Sequence, residues 1–280
     1  MDKVVFLAVL GAAAMHAGWN AVVKVGLDRF SSILLLALVQ ALIAVPVLPF
    51  VQKPLIEAWP WIAASAALHT GYKIFLVHSY TRGDLSQMYP LARGSAPMLV
   101  ALYSLTVLGE PMAATGLAAV SAIAVGVILM SFKGGATLDR MHPIAVLYAL
   151  GTAAFTASYT LVDGIGARAT GTASGFILWM VIGDAVGMIL YAVIARGRTA
   201  ISGLRSAWLT GLIAGGLSLG SYWVAVWAMT KAPIALVAAL RETSVLFAMM
   251  IGAIWLQEPL TRWRWVAAIL IGGGVVAMRI

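Results

Sequence analysis

Apolar runs of about twenty residues follow one another along the whole chain, parted by polar joints only a few residues long. A helix needs about twenty residues to cross hydrocarbon roughly 30 Å thick, so each run predicts a membrane-spanning helix. Between the polar joints the spans are Val4–Val23, Ile33–Val51, Trp59–Tyr80, Gln87–Leu108, Met112–Phe132, Pro143–Val162, Ala173–Ala195, Trp208–Met229, Ile234–Leu256 and Trp263–Met278. The expected fold is all-α and integral to the membrane, with about ten transmembrane helices. No joint is long enough for a soluble domain. The first run starts at Val4 with almost no basic lead and is long enough to span, so it reads as a helix and not as a cleaved signal.

The pattern also repeats. Ala92-Arg93-Gly94-Ser95 in the fourth span has a counterpart in Leu240-Arg241-Glu242-Thr243-Ser244 of the ninth, and Glu110-Pro111 and Glu258-Pro259 stand at the same distance after the two arginines. The same register pairs Gly126 with Gly274 and Met130 with Met278. A second register aligns Leu10-Gly11, Ala17, Trp19 and Gly26 with Leu150-Gly151, Ala157, Tyr159 and Gly166. Residues 1–140 and 141–280 therefore read as two five-helix repeats forming one unit. Five is odd, so the second copy enters the membrane from the opposite side, and inverted repeats place a binding site near the midplane between the halves. The Glu-Pro pairs read as structural hairpins: proline suits the first helical position, and the preceding glutamate faces the positive helix end.

Composition narrows the chemistry. The chain is 62% hydrophobic and 10% charged, against about a quarter charged in a soluble domain. The net charge of +8 is spread over single residues at helix ends such as Lys53, Arg82 and Lys133, which anchor to headgroups and form no nucleic-acid surface. Cysteine is absent, which removes thiolate chemistry and Cys-built metal sites. Lys and Arg are more numerous on the side holding the first joint, so the positive-inside rule puts both termini outside the cytoplasm. No Gly-rich phosphate loop, HExxH or GxSxG constellation, or carboxylate pair at helical spacing is present, so no catalytic residue, metal site or cofactor is expected.

An ionisable group in hydrocarbon costs at least ~2.5 kcal/mol on insertion scales and asks for a partner or a wet cavity. His16, Trp19 and Asn20 share one face of the first helix, and His69, Tyr72 and Lys73 one face of the third. Thr152, Phe155, Thr156 and Tyr159 mark the sixth helix, and Ser218, Ser221 and Tyr222 the eighth. Equivalent helices with matching polar-aromatic faces should converge on one cavity, with His16, Trp19, Asn20, His69, Tyr72, Lys73, Tyr159, Ser221 and Tyr222 as substrate contacts. The histidines could instead bond a neighbouring helix, and Lys73 could pair with Asp184, itself a structural partner or a relay. Asp163 falls beyond the expected end of the sixth helix. Arg93 and Arg241 lie about 25 Å of helix before their Glu-Pro turns, so they are expected at opposite membrane faces. There Tyr89, Arg93, Arg241, Glu242 and Ser244 would form mouths or gates, unless the arginines only snorkel.

Ten helices, two halves and the Glu-Pro turns, with Tyr89-Pro90-Leu91-Ala92-Arg93-Gly94-Ser95-Ala96-Pro97 and the stretch around Arg241, resemble the drug/metabolite transporter superfamily, in particular its ten-helix EamA-type members. The aromatic residues of the third helix and its neighbours resemble those of the aromatic amino acid exporter type. The resemblance implies a multi-pass protein of the cell inner membrane that exports small amphipathic metabolites by alternating access, with no oligomer required. Amino acids, aromatic or large apolar, are the leading solutes, and phosphorylated or nucleotide-linked solutes the alternative. The four-helix relatives exchange protons through a glutamate midway along their first helix. Here that helix offers only His16 and Asn20, which puts that mechanism in doubt. An intramembrane enzyme is the disfavoured reading from another class.

Overall fold

Among the described residues (1–23, 27–82, 85–130, 142–197, 200, 204, 207–255 and 261–279), every regular element is helical. The computed structural model contains α1 (Lys3–Val23), α2 (Arg29–Val47), α3 (Trp59–Arg82), α4 (Leu85–Thr106), α5 (Ala114–Leu129), α6 (Pro143–Ala169), α7 (Ala173–Arg196), α8 (Trp208–Met229), α9 (Ile234–Arg241), α10 (Ser244–Trp255) and α11 (Arg262–Ala277). Local sequence sets many of these ends. The Asp28 carboxylate accepts from the amides of Phe30 and Ser31 at the start of α2, and the Thr172 hydroxyl accepts from Gly175 N at the start of α7. Pro143 occupies the first turn of α6, where its missing N–H costs nothing.

Ten spans are present, as the apolar pattern predicts, but the ninth is broken. α9 ends at Arg241 and α10 begins at Ser244, with the turn tightened by Thr243 N donating to Leu240 O at 3.1 Å and Val245 N to Glu242 O at 3.0 Å. A tightened turn of this kind inside a helix often marks a hinge or a site. The sixth helix also differs from expectation: it runs to Ala169, well past Val162, which brings Asp163 inside the membrane.

Six segments are long and apolar enough to span by themselves: Lys3–Val22, Arg29–Phe50, Pro143–Ala169, Ala173–Arg196, Trp208–Met229 and Ile234–Ile254. α3 and α4 are as long but fall short in apolarity, because they carry His69, Lys73 and Arg93. Both α3 and α4 contribute these residues to the middle of the bundle.

The two halves are interleaved. α1 packs on α8, and its counterpart α6 packs on α3; α2 meets α7, and α5 meets α11. These principal cross-half contacts map onto one another, or onto themselves, when the repeats are exchanged, as a two-fold axis in the membrane plane requires. The interior crossings are lined by small residues, while Leu7, Leu42, Leu102, Leu147, Ile194 and Ile269 stay exposed on the outside, where lipid replaces water.

The α5–α11 crossing shows why glycine recurs at equivalent places. A Cβ on Gly126 would lie 2.7 Å from the Ile271 side chain and 3.0 Å from Ala267 O, and one on Gly274 would lie 2.7 Å from Ile123 and 2.8 Å from Ala119 O. The helices touch backbone to backbone, and neither carbonyl can move aside.

At the membrane face that holds both termini, one ionic clasp joins the halves. Glu110 Oε1 accepts from Arg168 Nη1 at 2.5 Å, and Glu110 Oε2 accepts from the amide of Ile234 at 3.1 Å. Arg168 also donates to the carbonyls of Met229 and Ala232. The sequence reading had Glu110 facing the start of its own following helix. Instead α5 starts only at Ala114, and Glu110 serves the exposed amide end of α9 in the other half. The Gly109 backbone, at φ +61°, makes the turn that aims it there. Glu258-Pro259 lies outside the described residues.

Gly274→Ala and Gly126→Ala should each lower the melting temperature of the purified protein in detergent, whereas Gly272→Ala, whose Cβ would meet nothing within 4 Å, should leave it nearly unchanged. Because the chain has no cysteine, the clasp can be tested against a silent background. A single Cys replacing the fully buried Ala235 should resist a membrane-impermeant maleimide, and adding Glu110→Gln should raise its labelling severalfold.

Candidate functional site

A cavity of about 80 Å³ opens between the halves. Holding one water takes on the order of 10–15 Å³ by this measure, so the cavity admits several. Its wall takes His16 and Trp19 from α1, Leu36 and Gln40 from α2, His69, Tyr72 and Lys73 from α3, Arg93 from α4, Tyr159 from α6, Asp184 from α7, Ser218 and Tyr222 from α8, and Arg241 from α9. The convergence expected of the first, third, sixth and eighth helices is present in the geometry, with additions from α2, α4, α7 and α9.

Not every expected contact faces it. Asn20 donates to His16 O at 2.8 Å within its own helix, and Ser221 donates to Ala12 O at 2.7 Å, tying α8 to α1. Both lie outside the cavity wall. Thr152 and Thr156 donate to carbonyls one turn back and do not line it either. The Tyr89 side chain lies outside the described residues.

The two arginines are not at opposite mouths. Arg93 is only the ninth residue of α4, and Arg241 ends α9 at the break, so both reach the middle of the bundle from opposite ends and meet there. Arg93 Nε donates to Glu242 Oε2 at 2.9 Å, and Arg93 Nη2 lies 3.3 Å from Ser244 Oγ. The expectation of opposite faces measured the distance from the Glu-Pro turn as uninterrupted helix. Several residues between Thr106 and Glu110 are turn, and the ninth span is broken at the arginine itself.

Lys73 is ion-paired to Asp184 across the halves, and Thr70 adds a hydroxyl to the same carboxylate at 3.2 Å. The structural alternative for Lys73 is therefore present, although both partners also line the cavity. Arg241 differs. No carboxylate of the described residues comes within ion-pairing distance of it; its guanidinium lies over the Tyr222 ring at 4.9 Å to the centroid. Aromatic side chains complete the wall. His69 stacks on Tyr159 at 4.0 Å between centroids, Tyr72 meets Tyr159 edge-on at 5.4 Å, and the Trp19 indole donates to His16 Nδ1 at 3.3 Å.

Asp163, which the sequence reading left at a helix end, is the hub behind this wall. It is fully buried and accepts from Ser65, from Tyr222 and from His69, whose Nε2 is 3.0 Å away. The signal that could have found it is its spacing. Thr156, Tyr159 and Asp163 fall on one face of a helix if the apolar period is followed past Val162 to Gly166.

The buried pair predicts a double-mutant result. Removing one member leaves an unpaired charge, which costs about 3–5 kcal/mol inside a protein. Lys73→Met and Asp184→Asn should each lower folded yield and melting temperature sharply, and Lys73→Met combined with Asp184→Leu should restore much of both.

The EamA-like transporter family model matches residues 3–132 and again 143–280. A solved structure titled "Crystal structure of protein" superposes with a TM-score of 0.78 over 100% of this chain and 99% of its own, at 14% identity, which speaks for the fold alone. No curated protein matches. Two family matches covering nearly the whole chain, on a bundle whose halves close around one polar cavity, place it: this chain belongs to the EamA-like transporter family and is a multi-pass membrane transporter of the drug/metabolite type.

Proposed function

We propose that the solute is a zwitterion with an apolar body, an amino acid with an aromatic or large apolar side chain, exported across the cell inner membrane by rocking of one repeat against the other. The observation that carries this reading is the charge balance of the cavity. Two of its three strong cations are already neutralised, Lys73 by Asp184 and Arg93 by Glu242, which leaves Arg241 to meet a carboxylate. One open cation suits one carboxylate, and it argues against phosphorylated or nucleotide-linked solutes, whose several charges would need more. Lys73, expected among the substrate contacts, is engaged with Asp184, which moves the carboxylate role to Arg241. Trp19, Tyr72, Tyr159 and Tyr222 offer ring faces and edges for the apolar body.

The proposed sidedness follows the basic joints, with both termini outside the cytoplasm. The clasp between Glu110 and Arg168 then closes the outer face, and solute enters from the face that holds the joint between α1 and α2. Export requires the clasp to part.

Reconstituted protein should exchange labelled phenylalanine for internal unlabelled phenylalanine faster than empty liposomes. A charge-assisted contact is worth a few kcal/mol, so Arg241→Gln should lower exchange ten-fold or more while the protein stays folded. Tyr72→Ala should slow phenylalanine more than alanine, because ring area is lost and the charge contact remains. Undiminished exchange by a well-folded Arg241→Gln protein would overturn the assignment of the carboxylate.

A further inference from the structure

Asp163 has no role in the contacts just described. It does not line the cavity, yet it is the most deeply placed ionisable group near it, with no exposed surface at all. A carboxylate held in hydrocarbon for packing alone is costly, and such groups mark ion or proton pathways. We infer that Asp163 and His69 together form a proton-binding site whose occupancy is exchanged against solute, making the carrier a proton antiporter. This rests on the reading of the cavity as a solute site.

The geometry supplies a route and a store. His69 lines the cavity with one edge and sets Nε2 3.0 Å from Asp163 Oδ2 with the other, and Tyr222, also in the wall, donates to the same oxygen, so these two side chains stand between the cavity and the carboxylate. A proton delivered as hydronium in the cavity leaves water behind when the imidazole takes it up, and it can stay there or pass to Asp163 by exchange of one N–H for one O–H bond. The pair gains a single proton and its charge changes from minus one to zero. Since the groups touch, the proton belongs to the pair and not to either residue. Ser65 and Tyr222 are hydroxyls, which can donate to the ionised carboxylate or turn away from the protonated one.

The elements packed around α6 bring Lys73 from α3, Arg93 from α4, Asp184 from α7, Tyr222 from α8, Arg241 with Glu242 at the end of α9, and Glu57 on the exposed turn before α3, while Tyr159 stands on α6 itself. Lys73 is paired with Asp184 and Arg93 with Glu242, while Arg241 lies over the Tyr222 ring. Competition follows from placement. A solute ammonium in the cavity is drawn by the negative pair through the His69–Tyr159 wall, and a proton on the pair removes that attraction. Solute and proton are bound in alternation, which is what exchange requires.

The test uses the whole protein in liposomes with labelled phenylalanine as probe. Wild type should exchange phenylalanine at equilibrium without a pH gradient and should accumulate it severalfold when the interior is acidic. Asp163→Asn should lose the accumulation and weaken exchange at low phenylalanine, where the lost attraction counts, while retaining exchange at saturating phenylalanine, and Asp163→Glu should recover part of both. Ser65→Ala removes one donor to the carboxylate, so the pH dependence of accumulation should differ from that of wild type; an unchanged dependence counts against the site, including where Asp163→Asn fails to fold. Wild type that exchanges phenylalanine but ignores the gradient, or Asp163→Asn that still accumulates, overturns the inference. If wild type does not exchange phenylalanine at all, the amino-acid reading has failed, and infrared titration of the solute-free protein decides about the proton. A carboxylic-acid band that appears on acidification and is missing in Asp163→Asn supports the site; an unchanged band overturns it.

Discussion

A charge in the middle of a bilayer has no water to stabilise it, so it must find its partner within the protein, and in this chain the partners lie in different halves. Lys73 and Arg93 belong to the first repeat; Asp163, Asp184 and Glu242 belong to the second, with Arg241. Each carboxylate is met across the interface: by Lys73, by Arg93, and by His69 with Ser65. The repeats share an ancestral pattern, yet at the centre they have become electrostatic complements. A buried ion pair is weak evidence for net stability but strong evidence for register, because any slip leaves two charges unpaired. The α3–α7, α3–α6 and α4–α9 contacts are held in register by this constraint.

The break in the ninth span follows from the same need. A continuous helix would point Arg241, Glu242, Thr243 and Ser244 around its whole circumference, toward lipid as well as protein. Interrupting the helix after Arg241 gathers all four into the interior, where each is at least nine-tenths buried. Backbone groups freed there are tolerable because they lie inside the bundle, with Thr243 Oγ1 donating to Leu240 O at 2.7 Å.

The spans, the duplication and the meeting of four polar helix faces were legible in sequence because each rests on a period or a length that membrane physics makes nearly obligatory. What escaped the sequence was relational. Nothing local distinguishes Ser221, which ties α8 to Ala12, from Ser218, which faces the cavity and accepts from Gln40 at 3.0 Å. Asp163 was missed because a carboxylate was taken to end a span, when in fact it is the partner of another helix. Arg93 and Arg241 were sent to opposite faces by counting residues along helices that are interrupted by turns. Glu110 is expected at the start of its own following helix, but the helix end it serves is more than a hundred residues away in sequence.

The division of charge between the repeats also bears on how the protein is made. Synthesis delivers the N-terminal half first, and domains generally begin to fold as they emerge. At that stage Lys73 and Arg93 are in or near the membrane with no carboxylate to meet, and α3 and α4 are the segments that insert least readily on their own. They cannot settle until α6, α7 and the broken ninth span arrive. Half of this protein is thus an incomplete object, whose central cations meet Asp184 and Glu242 only once the second half is in place.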